Sequence, residues 1–177
     1  MEKIILLGGN HISNLDWVRD LEKELQHYAD EIILHKYLHW LNPDLGEIDF
    51  DKELANLSNN ILKNQDSIVI AKSAGTILAL YAIQKGLISP KKIVLIGVPH
   101  KWALERNHDV KSLLRYLNVK TLIIQQSNDY MMPFRDLISL LKDLENTNIN
   151  TVEIEGNDHA YLNIADFIDV TRSFITE

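Results

Sequence analysis

Cysteine is missing from the 177-residue chain. Disulfides, a thiolate nucleophile and a cysteine-based zinc site are therefore all excluded. Basic residues are also in deficit, with 18 Lys and Arg against 25 Asp and Glu and a net charge of -7. Lys91, Lys92 and Lys111 are scattered or paired beside predicted elements and form no basic patch, so no nucleic-acid partner is expected. Long hydrophobic runs are absent too: "MEKIILLGGN" has an apolar run of only four residues before its glycines. That is too short for a signal peptide or a bilayer span, so no membrane association is expected and the expected compartment is the cytoplasm. Internal repeats and low-complexity linkers are lacking, as are G-x-G-x-x-G, the P-loop and H-E-x-x-H. What remains is 46% hydrophobic and long enough to bury a continuous core, which predicts one domain over residues 1–177.

Short apolar runs recur at residues 3–7, 31–35, 67–71, 92–97, 121–125 and 151–155. Most are continuous and rich in Ile, Leu and Val instead of alternating, as strands buried on both faces require. Helical spacing falls between them. Residues 14–28 place Leu15, Val18, Leu21, Leu25 and Tyr28 on one face, with Asn14 as N-cap; residues 51–63 do the same with Leu54, Leu57, Ile61 and Leu62. Further helices are predicted at 74–85, ended by Gly86, at 109–117, at 133–144 with Pro133 in the first helical position, and at 160–175. Residues 36–50, with Pro43 and Gly46, read as a loop above the sheet. Alternating strands and helices imply right-handed crossovers, hence a three-layer α/β/α sandwich around a mostly parallel sheet of about six strands.

In such a sheet ligands gather outside the carboxyl ends of the strands, so the residues just after each run carry the functional information. Ser73 follows the third run in "AKSAG", close to the G-x-S-x-G elbow that turns a serine outward between strand and helix. Ala71 and Gly75 are small enough for strand and helix to approach, and Ala74 offers a backbone N–H at a helix N-terminus. Taken alone, the corner could be an incidental tight turn. Asp129 in "QQSNDYMMP" stands after the fifth run, and His159 in "EGNDHAYL" after the sixth. Each has an ordinary reading as a turn or capping residue. Together they give the chain order Ser, Asp, His, which is that of the α/β-hydrolase triad.

The chain thus resembles the α/β-hydrolase superfamily, and in size and triad spacing its small members of the retinoblastoma-binding-protein-9-like and YdeN-like serine hydrolase type. The resemblance covers the whole chain in element order and rests on "LLGGN", "AKSAG", "NDYMMP" and "GNDHAY" at motif level. It implies a core without the first antiparallel strands of larger members. Alanine replaces the usual first glycine of the elbow, and no His-Gly oxyanion motif follows the first strand.

The expected chemistry is acyl transfer to water. Ser73 would attack an acyl carbonyl, His159 would take its proton, and Asp129 would orient the imidazole. The oxyanion would be held by the Ala74 N–H and by a backbone N–H of Gly9 or Asn10. Asp158 competes with Asp129 for the acid's role, and His11 with His159 for the base's, or else His11 takes a substrate-polarising one. His35 and His39 have the i, i+4 spacing of a metal pair but no supporting helix, so neither a metal nor a cofactor is expected. Residues 100–120 are too short for a large cap, which leaves an open site for a small or protruding acyl group. His11, Trp102, Tyr130, Met131 and Met132 are candidates for its pocket. A carboxylic ester or thioester is the expected substrate, with amides not separable from them. A binding or scaffold module on the same fold, and a phosphate- or nucleotide-binding turn at "GGN", are the competing readings; the oligomeric state is open.

Overall fold

A computed structural model describes residues 2–60, 67–115, 117–144 and 146–177. Six strands are present: β1 (Lys3–Leu7), β2 (Glu31–Leu34), β3 (Ser67–Lys72), β4 (Lys92–Ile96), β5 (Lys120–Gln126) and β6 (Ile149–Ile154). They form one sheet in the order β2-β1-β3-β4-β5-β6, and all five pairings are parallel. The four inner strands are those with near-continuous burial, which is why their sequences do not alternate. β6, at one edge, has no fully buried residue and exposes Asn150 and Glu153, and it begins two residues earlier than its apolar pattern predicts.

Helices cover both faces. On one side α1 (Asn14–Leu25) and α8 (Ile168–Thr176) close a core of Ile4, Leu6, Ile68, Ile70, Val94 and Ile96 with Trp17, Phe167 and Phe174. On the other side lie α2 (Leu38–Leu41), α3 (Phe50–Asn60), α4 (Ala74–Gln84), α5 (His100–Glu105), α6 (Val110–Arg115) and α7 (Phe134–Lys142). The sandwich predicted from sequence is therefore the architecture. α4 is buried along nearly its whole length, since it packs behind the middle of the sheet.

Several local expectations are corrected. Ser13, not Asn14, is the N-cap residue of α1, and the Asn14 backbone N–H already bonds back to the His11 carbonyl. α1 ends at Leu25, leaving Tyr28 beyond it and partly exposed. Residues 36–50 are not simply a loop: they hold α2 and a 3-10 turn at Pro43–Leu45. Pro133 caps α7 in an extended conformation and is not its first residue. The last predicted helix begins late, at Ile168, because His159 and Tyr161 have φ of 55° and 51° and interrupt any helix there. α3 is described as far as Asn60, and the predicted Ile61 and Leu62 lie outside the described residues. α4 stops where expected, with Gly86 at a φ of 67° just beyond it.

Gly75 explains how α4 can start so close to the sheet. A Cβ there would stand 2.5 Å from the Gly8 carbonyl oxygen and 2.7 Å from that of Leu7. Both are backbone atoms at the end of β1, so neither yields cheaply. Gly75→Ala should cost about 2 kcal/mol or more, despite alanine's better helix propensity. Thermal unfolding checks this, with a melting temperature lowered by roughly 5 °C or more expected.

Candidate active site

Ser73 occupies the sharp corner between β3 and α4, with φ 51° and ψ −124°, a conformation that residues other than glycine rarely adopt. The strand holds one side of this corner, because the Ser73 N–H donates to the Ile96 carbonyl at 3.0 Å. Helix packing holds the other side through Gly75. The hydroxyl is thereby pushed off the sheet's carboxyl edge. Ala74 opens α4, so its N–H lacks an intrahelical acceptor, while its methyl is buried in the core.

His159 meets this serine from the loop after β6. Its Nε2 lies 2.9 Å from Ser73 Oγ, and its Nδ1 lies 2.7 Å and 3.0 Å from the two carboxylate oxygens of Asp129. A carboxylate can only accept, so Nδ1 carries the proton and the neutral ring's Nε2 is left to accept from the serine O–H. The three residues, far apart in sequence, form one hydrogen-bonded chain. His159 is only 9% exposed and Asp129 is fully buried.

Asp129 is heavily solvated by protein donors. Its Oδ1 accepts from the Met131 N–H at 2.8 Å, and its Oδ2 from the Tyr161 hydroxyl at 2.7 Å and the Gln125 amide at 3.0 Å. Tyr161 in turn accepts from the Gln126 N–H, and its backbone carbonyl accepts from the Trp17 indole. Burial, with the neighbouring Asp129 charge, raises the Tyr161 pKa far above the usual phenol value and keeps it a donor. Gly97 makes room for this ring, since a Cβ there would strike it. Gln126 fixes the histidine loop: its side-chain oxygen accepts from the backbone N–H of both Asp158 and His159. Neither glutamine, nor Tyr161, stands out in the sequence as a functional residue. The available signal is a pair of polar residues at the carboxyl end of an otherwise apolar strand, "TLIIQQ".

Asp158 does not compete for the imidazole. It is exposed, and its Oδ1 accepts from the Ala160 N–H and the Gln126 amide, the former contact chief among those that lower its pKa. His11 is exposed as well, with Nδ1 against the Ser13 hydroxyl instead of near Ser73. His35 and His39 do not share a site: the first bonds to buried Glu53, and the second donates to the Asn10 carbonyl at 2.6 Å. Among the described residues, no group of three or more His, Asp or Glu side chains could hold a metal ion.

The turn after β1 is clamped from the 36–50 segment. The Asn10 carbonyl accepts from His39 and from the Trp40 indole, its side-chain oxygen accepts from the Ile48 N–H, and Tyr37 donates to the Gly8 carbonyl. Gly9 is buried against Asn14, whereas Asn10 lines the cavity that Ser73 opens into.

That cavity has a volume of about 390 Å³. Its walls include Asn10, His11, Trp17, Lys72, Tyr130 and Met131, with Leu162 at the rim. Two expected pocket residues are elsewhere. Trp102 is turned by α5 against Phe50 and His108, beneath the Arg106 guanidinium. Met132 is drawn into the core, where its carbonyl accepts from Gln125, because Asp129 pins the Met131 N–H and bends the chain inward. Among the described residues no helix is long and apolar enough to cross a membrane.

No family model matches the sequence, and no curated protein matches it. Solved structures do match. A YdeN-like hydrolase from Pectobacterium atrosepticum superposes with a TM-score of 0.73 at 16% identity, over 99% of this chain and 91% of that one. The ydeN gene product of B. subtilis gives 0.67 at 14% identity, over 99% of both chains. An esterase from Exiguobacterium antarcticum gives 0.72 at 12% identity, over 100% of this chain and 92% of its own. The chain has the α/β-hydrolase fold in a small form.

Proposed function

We propose that the protein is a serine hydrolase that cleaves a carboxylic ester or thioester through an acyl-enzyme. The observation that carries this reading is the unbroken hydrogen-bonded chain from Ser73 Oγ through His159 to Asp129, with the serine held at a strained corner beside a helix N-terminus. A scaffold would have no use for either the strain or the 2.9 Å contact. The hydrolases and esterases among the structural neighbours support the same reaction class.

Ser73 Oγ attacks the acyl carbon as His159 Nε2 takes the hydroxyl proton. Negative charge develops on the former carbonyl oxygen and is met by the Ala74 N–H and the Asn10 N–H. Asn10 is favoured over Gly9 because it faces the cavity and is fixed there by three hydrogen bonds from outside it. Each such donor contributes on the order of 3 kcal/mol to lowering the barrier. The imidazolium then protonates the leaving alcohol or thiol, and water repeats the sequence on the acyl-enzyme. A small acyl compound is the only partner this chemistry needs.

The test is labelling with a fluorophosphonate probe at neutral pH, read by intact mass. Wild-type protein should gain one phosphonyl group at Ser73, and Ser73→Ala none. Wild-type protein that folds but stays unlabelled would return the fold to the reading of a non-catalytic binding module.

A further inference from the structure

Lys72 is the residue immediately before the nucleophile, and the chemistry above gives it no task. Along β3 it follows Ile68 and Ile70 on the face covered by α1 and α8, so its side chain continues an apolar row. It is 5% exposed, and its Nζ lies 4.9 Å from the centroid of the Trp17 ring. Among the described residues, nothing accepts a hydrogen bond from that Nζ. An ammonium buried this far without an acceptor is costly, and folds rarely retain one without a use.

The ammonium is not stranded in the core. Lys72, Trp17 and Ser73 all line the same cavity, so the unpaired cation opens onto the space where an acyl substrate would sit. Asp158 lies within electrostatic reach, yet its carboxylate is occupied by Ala160 and Gln126 donors and makes no bond to the lysine. Burial lowers the Lys72 pKa to about 8, partly offset by Asp158, so at neutral pH most molecules carry the charge. The protein's net charge of -7 gives no general attraction for anions, which leaves this one group to supply it.

We propose that Lys72 is a specificity residue that pairs with a carboxylate on the substrate, so that the preferred substrates are esters or thioesters of short dicarboxylic acids. The inference rests on the reading of Ser73 as nucleophile. A monoanionic carboxylate fits better than a phosphate dianion, because there is a single cation and the Asp158 charge stands close by. The face of Trp17 holds the ammonium by a cation–π contact while leaving its protons free, and the apolar rim of Tyr130, Met131 and Leu162 suits the methylene chain.

The experiment compares the monomethyl esters of succinate, glutarate and adipate with neutral methyl esters of matched length. The readout is the ratio of kcat/KM between charged and neutral partner. In wild-type protein the best pair should favour the half ester by about tenfold or more, and Lys72→Met should bring that ratio near one. A ratio near one in wild type overturns the proposal. So does a Lys72→Met variant that slows both esters equally, which would make the lysine a general catalytic or structural group.

A second measurement separates this inference from the reading it rests on. Free glutarate should raise the melting temperature of Ser73→Ala protein more than glutaramide does, and the difference should vanish in Ser73→Ala/Lys72→Met. If the wild type is neither labelled by fluorophosphonate nor active on esters, the hydrolase reading falls, and the glutarate shift alone then decides whether Lys72 binds carboxylates. No shift overturns it. Should Lys72→Met not fold, the wild-type ratio and the glutarate-against-glutaramide comparison decide the question without it.

Discussion

Ser73→Ala and His159→Ala should each lower kcat for ester hydrolysis by about 10⁴-fold to 10⁶-fold, and the double variant should be no slower than either single one. In the proposed mechanism the two residues act as a unit: without the serine there would be no nucleophile to deprotonate, and without the imidazole the O–H that now faces Nε2 at 2.9 Å would have no base. What survives in all three variants is the contribution of binding and of the Ala74 and Asn10 donors, which is common to them. Single-turnover rates on an activated ester would measure this. Losses that multiply in the double variant would show that the residues work independently and would sink the triad. Stability offers an internal control, since Ser73→Ala leaves a Cβ at the strained corner and should fold like the wild type.

Asp129→Asn should reduce kcat about 10⁴-fold while leaving substrate affinity nearly unchanged. The size follows from the donors already aimed at the carboxylate. Tyr161 and Gln125 both donate to Oδ2, so an asparagine would keep its oxygen there, still within reach of His159 Nδ1, and put its NH₂ at the Oδ1 position, against both Nδ1 and the Met131 N–H. The NH₂ then competes for Nδ1, and a ring that accepts from it carries its proton on Nε2, facing the serine that the proposed mechanism needs deprotonated. In either tautomer the carboxylate charge that would stabilise the imidazolium is gone. The Met131 N–H would also lose its acceptor, at a cost of about 1–3 kcal/mol in stability. Steady-state kinetics with a melting curve checks both parts. A variant within tenfold of wild type would mean that the imidazole is oriented by its loop alone.

The strands are readable because the inner four are covered on both faces, and burial on both faces leaves unbroken runs such as "KIILL" and "KIVLI". Where burial is only partial, as at the edge strand β6, polar residues such as Asn150 and Glu153 interrupt the run and blur its boundary. The short α2 leaves no mark for another reason: four residues give too few turns for a period to show. Ser73, Asp129 and His159 can be read as a set from their order after the third, fifth and sixth strands, and in space they meet. The groups that hold them cannot. Tyr161 reaches Asp129, and Gln126 reaches the His159 loop, through contacts between the end of β5 and a segment more than thirty residues on, and nothing local in either sequence announces them. Lys72 gives no signal either, because a lysine beside a loop is ordinarily solvated, and its burial beneath Trp17 depends on how α1 is laid across the sheet.

The strand order also sets a schedule for a chain made from its N-terminus. β1 lies between β2 and β3, so it waits until residue 72 has emerged before its second neighbour exists. From that point the corner at Ser73 can close, once α4 has seated on the end of β1. The base that would give the serine its reactivity arrives only after β6, nearly ninety residues later. For most of its birth the molecule therefore carries a tense but inert hydroxyl. Reactivity towards an acyl probe would appear only once β6 is in place, as a marker that this edge of the sheet has docked.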